Sequence, residues 1–117
     1  MKRIIPLVAF AAAAFAQSHS ATLTWTDTAN PSGTQYNVYR LTGQCPATEP
    51  TTTSGFTLLN AAPLAPMLYK DSTVAGGSTY CYVLVAVNST TQSVPSGDAQ
   101  AVVPGLFPPT MLQTVPN

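Results

Sequence analysis

Few side chains here could do chemistry. The 117 residues include one His, four Asp or Glu and two Cys. A nucleophilic triad needs an imidazole beside its nucleophile and a carboxylate to orient it. The one imidazole, His19, is expected outside the folded region, near a chain end. A glycosidase pair needs two carboxylates converging across a cleft. Asp27, Asp71 and Asp98 instead fall in turn-like stretches, where Asp is common because it bonds nearby backbone. Gly76-Gly77 reads as a hairpin turn, not a phosphate loop. Asn88-Ser89-Thr90 has the form of an N-glycosylation site. Asp27-Thr28-Ala29 and Asp71-Ser72-Thr73 have the form of a bacterial O-glycosylation triplet, which chance also produces. No catalytic, cofactor-binding or metal-ligating residue is assigned, and the chain reads as a non-enzyme.

Composition narrows the partners. Charged residues make up 7% of the chain and the formal net charge is zero. Four Lys and Arg cannot neutralise a run of phosphates, which excludes a nucleic-acid footprint. Apolar residues make up 45%, enough for one small packed domain.

The first residues have the pattern of an export signal. Lys2 and Arg3 precede an apolar run of twelve, residues 4–15, and Ala14-Phe15-Ala16 fits a small-residue cleavage site. A bilayer span needs about 20 residues, so no membrane span is expected. Residues 1–16 are read as a leader that is removed, leaving Gln17 first and the protein secreted, at the cell surface or in a periplasm. Removal leaves Arg40 and Lys70 against Asp27, Glu49, Asp71 and Asp98, a net charge of −2. So sparse a charge opposes association between copies only weakly. Export also favours pairing of Cys45 with Cys81. Two free thiols or an intermolecular bridge are the alternatives. An intrachain bridge would close a loop of about 37 residues and stabilise the fold by about 4 kcal/mol on the chain-entropy account.

The remaining chain shows no sustained helical period. Short runs alternate in polarity between turn clusters, which predicts an all-β sandwich. Ala21, Leu23 and Trp25 alternate with Thr22, Thr24 and Thr26. Strands are also expected over residues 36–40, 56–60, 67–74, 79–88 and 98–103. The run 79–88 is apolar on both faces, the mark of a central strand. Residues 42–55 form a Thr- and Pro-rich loop that holds Cys45.

These pieces together resemble a bacterial fibronectin type III domain over residues 20–104. The stretch 21–25 is similar to its strand B with the core Trp, and 36–40 to strand C. Residues 69–74 are similar to strand E, and 74–80 to the turn into strand F with Tyr80 as the tyrosine corner. Residues 94–99 and 103–104 are similar to the entry and exit of strand G. The resemblance implies a two-sheet immunoglobulin-like sandwich, with A, B and E on one sheet and C, C′, F and G on the other. It implies that Leu23, Trp25, Tyr36, Val38, Tyr69, Val74, Tyr80, Tyr82, Leu84, Ala101 and Val103 point inward. Cys81 would point outward toward the loop that holds Cys45. Tyr39, Leu41, Val83 and Val85 would lie on the outer face, either as a contact surface or beneath that loop.

One element departs from the family pattern. Little precedes strand B once the leader is gone, so strand A is expected to be absent at the N-terminus. The Pro-rich tail, residues 105–117, instead resembles the start of a following domain. Pro108, Pro109, Thr110, Met111, Leu112 and Val115 would form a strand-A-like segment. In this family strand G ends at the pole opposite the start of strand A, so the tail is placed to serve the next copy. Such head-to-tail donation builds filaments. The expected function is therefore a secreted structural subunit whose partners are copies of itself. The alternative is a monomeric binding module for a surface protein or glycan.

Overall fold

The computed structural model describes residues 7–13, by their backbone, and residues 19–106. It contains seven strands there: β1 (Leu7–Ala13), β2 (His19–Trp25), β3 (Gln35–Thr42), β4 (Thr57–Leu58), β5 (Leu68–Asp71), β6 (Thr79–Val87) and β7 (Ala99–Val102). They form a three-stranded sheet, β1-β2-β5, and a four-stranded sheet, β4-β3-β6-β7. Every pairing is antiparallel. This is the predicted sandwich.

Alternation along the strands decides the core. On β2, Ala21, Leu23 and Trp25 are buried, while Thr22 and Thr24 are half-buried. Across from them lie Tyr36, Val38, Tyr80, Tyr82, Leu84, Ala101 and Val103, with Val74 closing one end. Tyr69 packs against this cluster but is only partly buried. The Trp25 and Tyr36 rings meet edge to face, with centroids 5.5 Å apart, a favoured aromatic geometry. Asn60 ties the segment after β4 to β3. Its Oδ1 accepts from Val38 N at 2.7 Å and its Nδ2 donates to Ala62 O at 2.7 Å.

Two expectations are corrected. The edge of β2 is not open in the full-length chain. β1 lies along it, from Leu7 opposite Trp25 to Ala13 opposite His19. The apolar run read as a leader thus takes the place of strand A, because an unpaired sheet edge is a template for any extended segment within reach. His19 is likewise not outside the fold but begins β2.

The register also places the chain ends. β1 starts beside Trp25, at the pole where β3 begins and β6 ends. β7 ends opposite Thr79, at the other pole. There Val103 N donates to Ser78 O at 2.9 Å and Gly77 N donates to Val103 O at 2.9 Å. Gly77 turns with φ of 81°, and a Cβ at Gly76 would stand 2.9 Å from the His19 ring. The positive φ of Gly77 favours glycine, and at Gly76 a side chain would require the His19 ring to move.

Candidate functional site

The outer face of the four-stranded sheet is covered. The Cys45–Cys81 disulfide joins the β3–β4 loop to β6 across a Cα separation of 4.9 Å. Cys45 N also donates to Gln100 Oε1 at 2.9 Å. Thr51, Thr52 and Thr53 of this loop come down beside Tyr39 and Val85. Val83 and Val85 are buried, and Tyr39 and Leu41 are half-buried. Of the two alternatives for these four, the burial of Val83 and Val85 agrees with a place beneath the loop. The long loop reaches over them because both faces of β6 are apolar and both must leave water.

A polar cluster crosses between the sheets. Asp71 at the end of β5 is 1% exposed. Its Oδ2 accepts from Tyr82 OH at 2.7 Å and from Arg40 Nη1 at 2.9 Å. Its Oδ1 accepts from Thr73 N at 3.0 Å and from the Thr73 hydroxyl at 2.6 Å. Arg40 also lies 4.8 Å over the Tyr80 ring. Burial alone would raise the Asp71 pKa, but the hydrogen bonds from Thr73, Tyr82 and Arg40 hold it below the ordinary carboxylate value. Burial and the Asp71 carboxylate push the Tyr82 phenol far up. The sequence reading placed Asp71 at a turn and missed this cluster. The spacing Asp71-x-Thr73 was the available signal, since it suits a carboxylate bonding the backbone two residues on.

Tyr80 sits at the predicted corner, with Ala75 N donating to its hydroxyl oxygen at 2.9 Å. A Tyr80→Phe substitution leaves that N–H without its partner, and its expected effect is a loss of about 1 kcal/mol in urea unfolding.

The other acids do not converge on a cleft. Asp27 organises the β2–β3 turn, its Oδ1 accepting from Ala29 N and Asn30 N at 3.1 Å. Its Oδ2 accepts from Tyr36 OH at 2.8 Å. Burial and the neighbouring Asp27 carboxylate raise the Tyr36 phenol to about 12. Asp98 has one carboxylate oxygen shut off from solvent and unpartnered. Burial and the charge of Glu49 raise its pKa. An oxygen of Asp98 lies within 4.8 Å of both cysteine sulfurs. The disulfide leaves those sulfurs no thiolate with which to bind a metal. A cleft of about 490 Å³ opens at the pole where β6 ends, lined by Asn30, Thr34, Asn88, Thr91, Gln92 and Ser93 among others.

The remaining feature is the β2 edge itself. β1 pairs along all seven of its residues with Leu-Val-Ala-Phe-Ala-Ala-Ala. The segment expected to serve as an alternative strand, Pro108 to Val115, lies outside the described residues.

No family model matches the chain, and no curated protein does. Solved structures do. A fibronectin type III-like protein from Clostridium thermocellum superposes with a TM-score of 0.58 at 27% identity, covering 87% of this chain and 92% of its own. This chain carries a fibronectin type III-like domain. The twitchin kinase region from C. elegans gives a TM-score of 0.53 at 19% identity, over 74% of this chain and 14% of its own. Pectate lyase Pel3 from Pectobacterium carotovorum gives 0.52 at 18% identity, over 95% and 29%. The last two bear on the fold alone. Fibronectin type III-like folds are generally non-catalytic modules. Among the described residues no helix is long and apolar enough to cross a membrane. The disulfide suits an oxidising compartment.

Proposed function

We propose that the chain is exported, loses residues 1–16, and serves as a non-catalytic extracellular subunit joined head to tail by its C-terminal segment. One observation carries this reading. The strand that completes the three-stranded sheet, β1, lies wholly within the apolar run of the leader pattern. Cutting after Ala16 would leave the β2 edge without a covalently attached partner. A bare edge is a site for strand addition.

Direction favours a neighbour as the source of the new strand. β7 ends at one pole and β1 starts at the other. A strand of this length spans about 20 Å. Residues 105–107 supply only about 10 Å of reach. A tail that turned back at its own exit pole would run parallel to β2, whereas β1 runs antiparallel to it. The tail of a copy stacked on the opposite pole enters in the antiparallel direction. That arrangement repeats without closing.

The test compares residues 17–117, oxidised, with the same chain lacking 107–117, by analytical ultracentrifugation and negative-stain microscopy. Linear assemblies are expected only with the tail. Leu112→Asp is expected to abolish them, since it would bury an unpaired charge. Monomers from both chains would overturn the reading. They would leave the second one, a binding module for a surface protein or glycan, which the cleft rich in amides and hydroxyls favours.

A further inference from the structure

The leader strand suggests how assembly would be timed. We infer that β1 is a placeholder: in the uncut chain it occupies the docking line that a neighbour's tail takes after cleavage, and so keeps subunits apart until they are exported. This rests on the strand-donation reading above and adds its regulation.

Three observations carry it. First, occupancy is complete. β1 pairs with every residue of β2, from Trp25 back to His19. It also runs beside β7. A tail cannot pair with an edge already in use.

Second, the cut would fall inside the connection between the two strands. Only residues 14–18 separate β1 from β2, and the expected scissile bond follows Ala16. Before cleavage this short tether holds β1 at an effective concentration on the order of millimolar or more. After cleavage the same strand is a free peptide, diluted by diffusion. A donor tail present at micromolar concentration loses the first competition and wins the second.

Third, β1 is a weak strand by composition. Four of its seven residues are alanine, which is depleted in strands. The register sets Ala9 opposite Leu23 and Ala11 opposite Ala21. The tail offers Thr110, Met111, Leu112, Thr114 and Val115, which include better strand formers. The placeholder is strong enough when tethered and replaceable once cut.

The experiment measures the protein concentration at which half the material sediments. It compares oxidised full-length chain 1–117, mature chain 17–117, and full-length chain with Ala9→Pro and Ala11→Pro. Proline removes ladder donors and weakens a strand without shortening the leader. The mature chain is expected to assemble at least 10-fold more readily than the full-length chain. The double-proline chain is expected to assemble like the mature one despite its attached leader. A synthetic peptide of residues 1–16 in excess is expected to delay mature-chain assembly. Equal assembly of full-length and mature chains would overturn the placeholder and leave strand donation standing. A double-proline chain as inert as the full-length one would also overturn it, since leader bulk and not strand pairing would be the block. Failure of all three to assemble would sink both readings.

Discussion

Asp71→Ala is expected to destabilise the domain by about 3–5 kcal/mol, the range for removing one partner of a buried charge pair. The substitution leaves Arg40, Tyr82 and Thr73 facing an empty site. It also unfastens the two sheets, since Asp71 belongs to one while Arg40 and Tyr82 belong to the other. In thermal unfolding of a domain this size the loss corresponds to roughly 15 °C or more. A small domain has only about 5–15 kcal/mol of stability, so this loss brings the alanine chain toward its folding limit. Asp71→Asn keeps the shape and one acceptor and provides the folded comparison. A melting temperature within a few degrees of the parent for both variants would show that the cluster holds nothing together.

The same cluster sets an acid limb. The folded Asp71 pKa is held below its unfolded value by its hydrogen bonds. Its contribution is therefore full above the unfolded carboxylate pKa, about 3.9, and is lost as pH falls through the folded value. Asp98 acts in the opposite sense. Its pKa is raised, so stability falls as pH rises from the unfolded value through the folded one. Between about pH 5 and pH 2 the parent chain is expected to lose melting temperature more steeply than Asp71→Asn. Parallel curves would mean that Asp71 does not carry the limb.

The sandwich was legible because its signals are local. Alternation in 21–25 and the two apolar faces of 79–87 follow from residue type alone, and each names a face and a depth in the sheet. Asp71 was not legible, because its burial is decided by Arg40 and Tyr82, which the topology brings together from 31 and 11 residues away. A carboxylate beside Ser72 and Thr73 looks like a turn until those partners are known. The β1 segment misled for a different reason. An apolar run next to a cleavage pattern speaks for a leader, and nothing in that pattern forbids the same residues from pairing with a free edge. Under the proposed reading, removal and pairing belong to different moments in the life of one segment. Val83 and Val85 show a third limit. Alternation puts them on the outer face, and what buries them there depends on segments distant in sequence, among them the loop that the disulfide ties to β6.

Opening the Cys45–Cys81 bridge is expected to remove about 4 kcal/mol, because the reduced unfolded chain regains the freedom of a loop of about 37 residues. Reduction alters only the two cysteines, of which Cys81 is fully buried, so the comparison of oxidised with reduced protein tests the cross-link with every other side chain unchanged. The loss should appear as a shift in urea midpoint at nearly unchanged slope in the folded-state baseline, followed by loss of local protection. The loop from Gln44 to Phe56 contains no strand and is held to β6 by the bridge. Among its other ties is the Cys45 N to Gln100 Oε1 hydrogen bond, which is exposed. Once released, the loop should be cut by protease before the rest of the domain, and Val83, Val85 and Tyr39 should gain access to water. An apolar dye would then bind the native baseline, as it does wherever a contiguous apolar patch is bared. If reduction shifts the midpoint while the loop stays resistant to protease, packing against β3 and β6 holds the cover and the bridge acts only on the unfolded chain. If reduction also bares the face, the disulfide has a second role. It keeps the apolar outer face of the four-stranded sheet, with Val83 and Val85, out of water and so out of reach of indiscriminate contact.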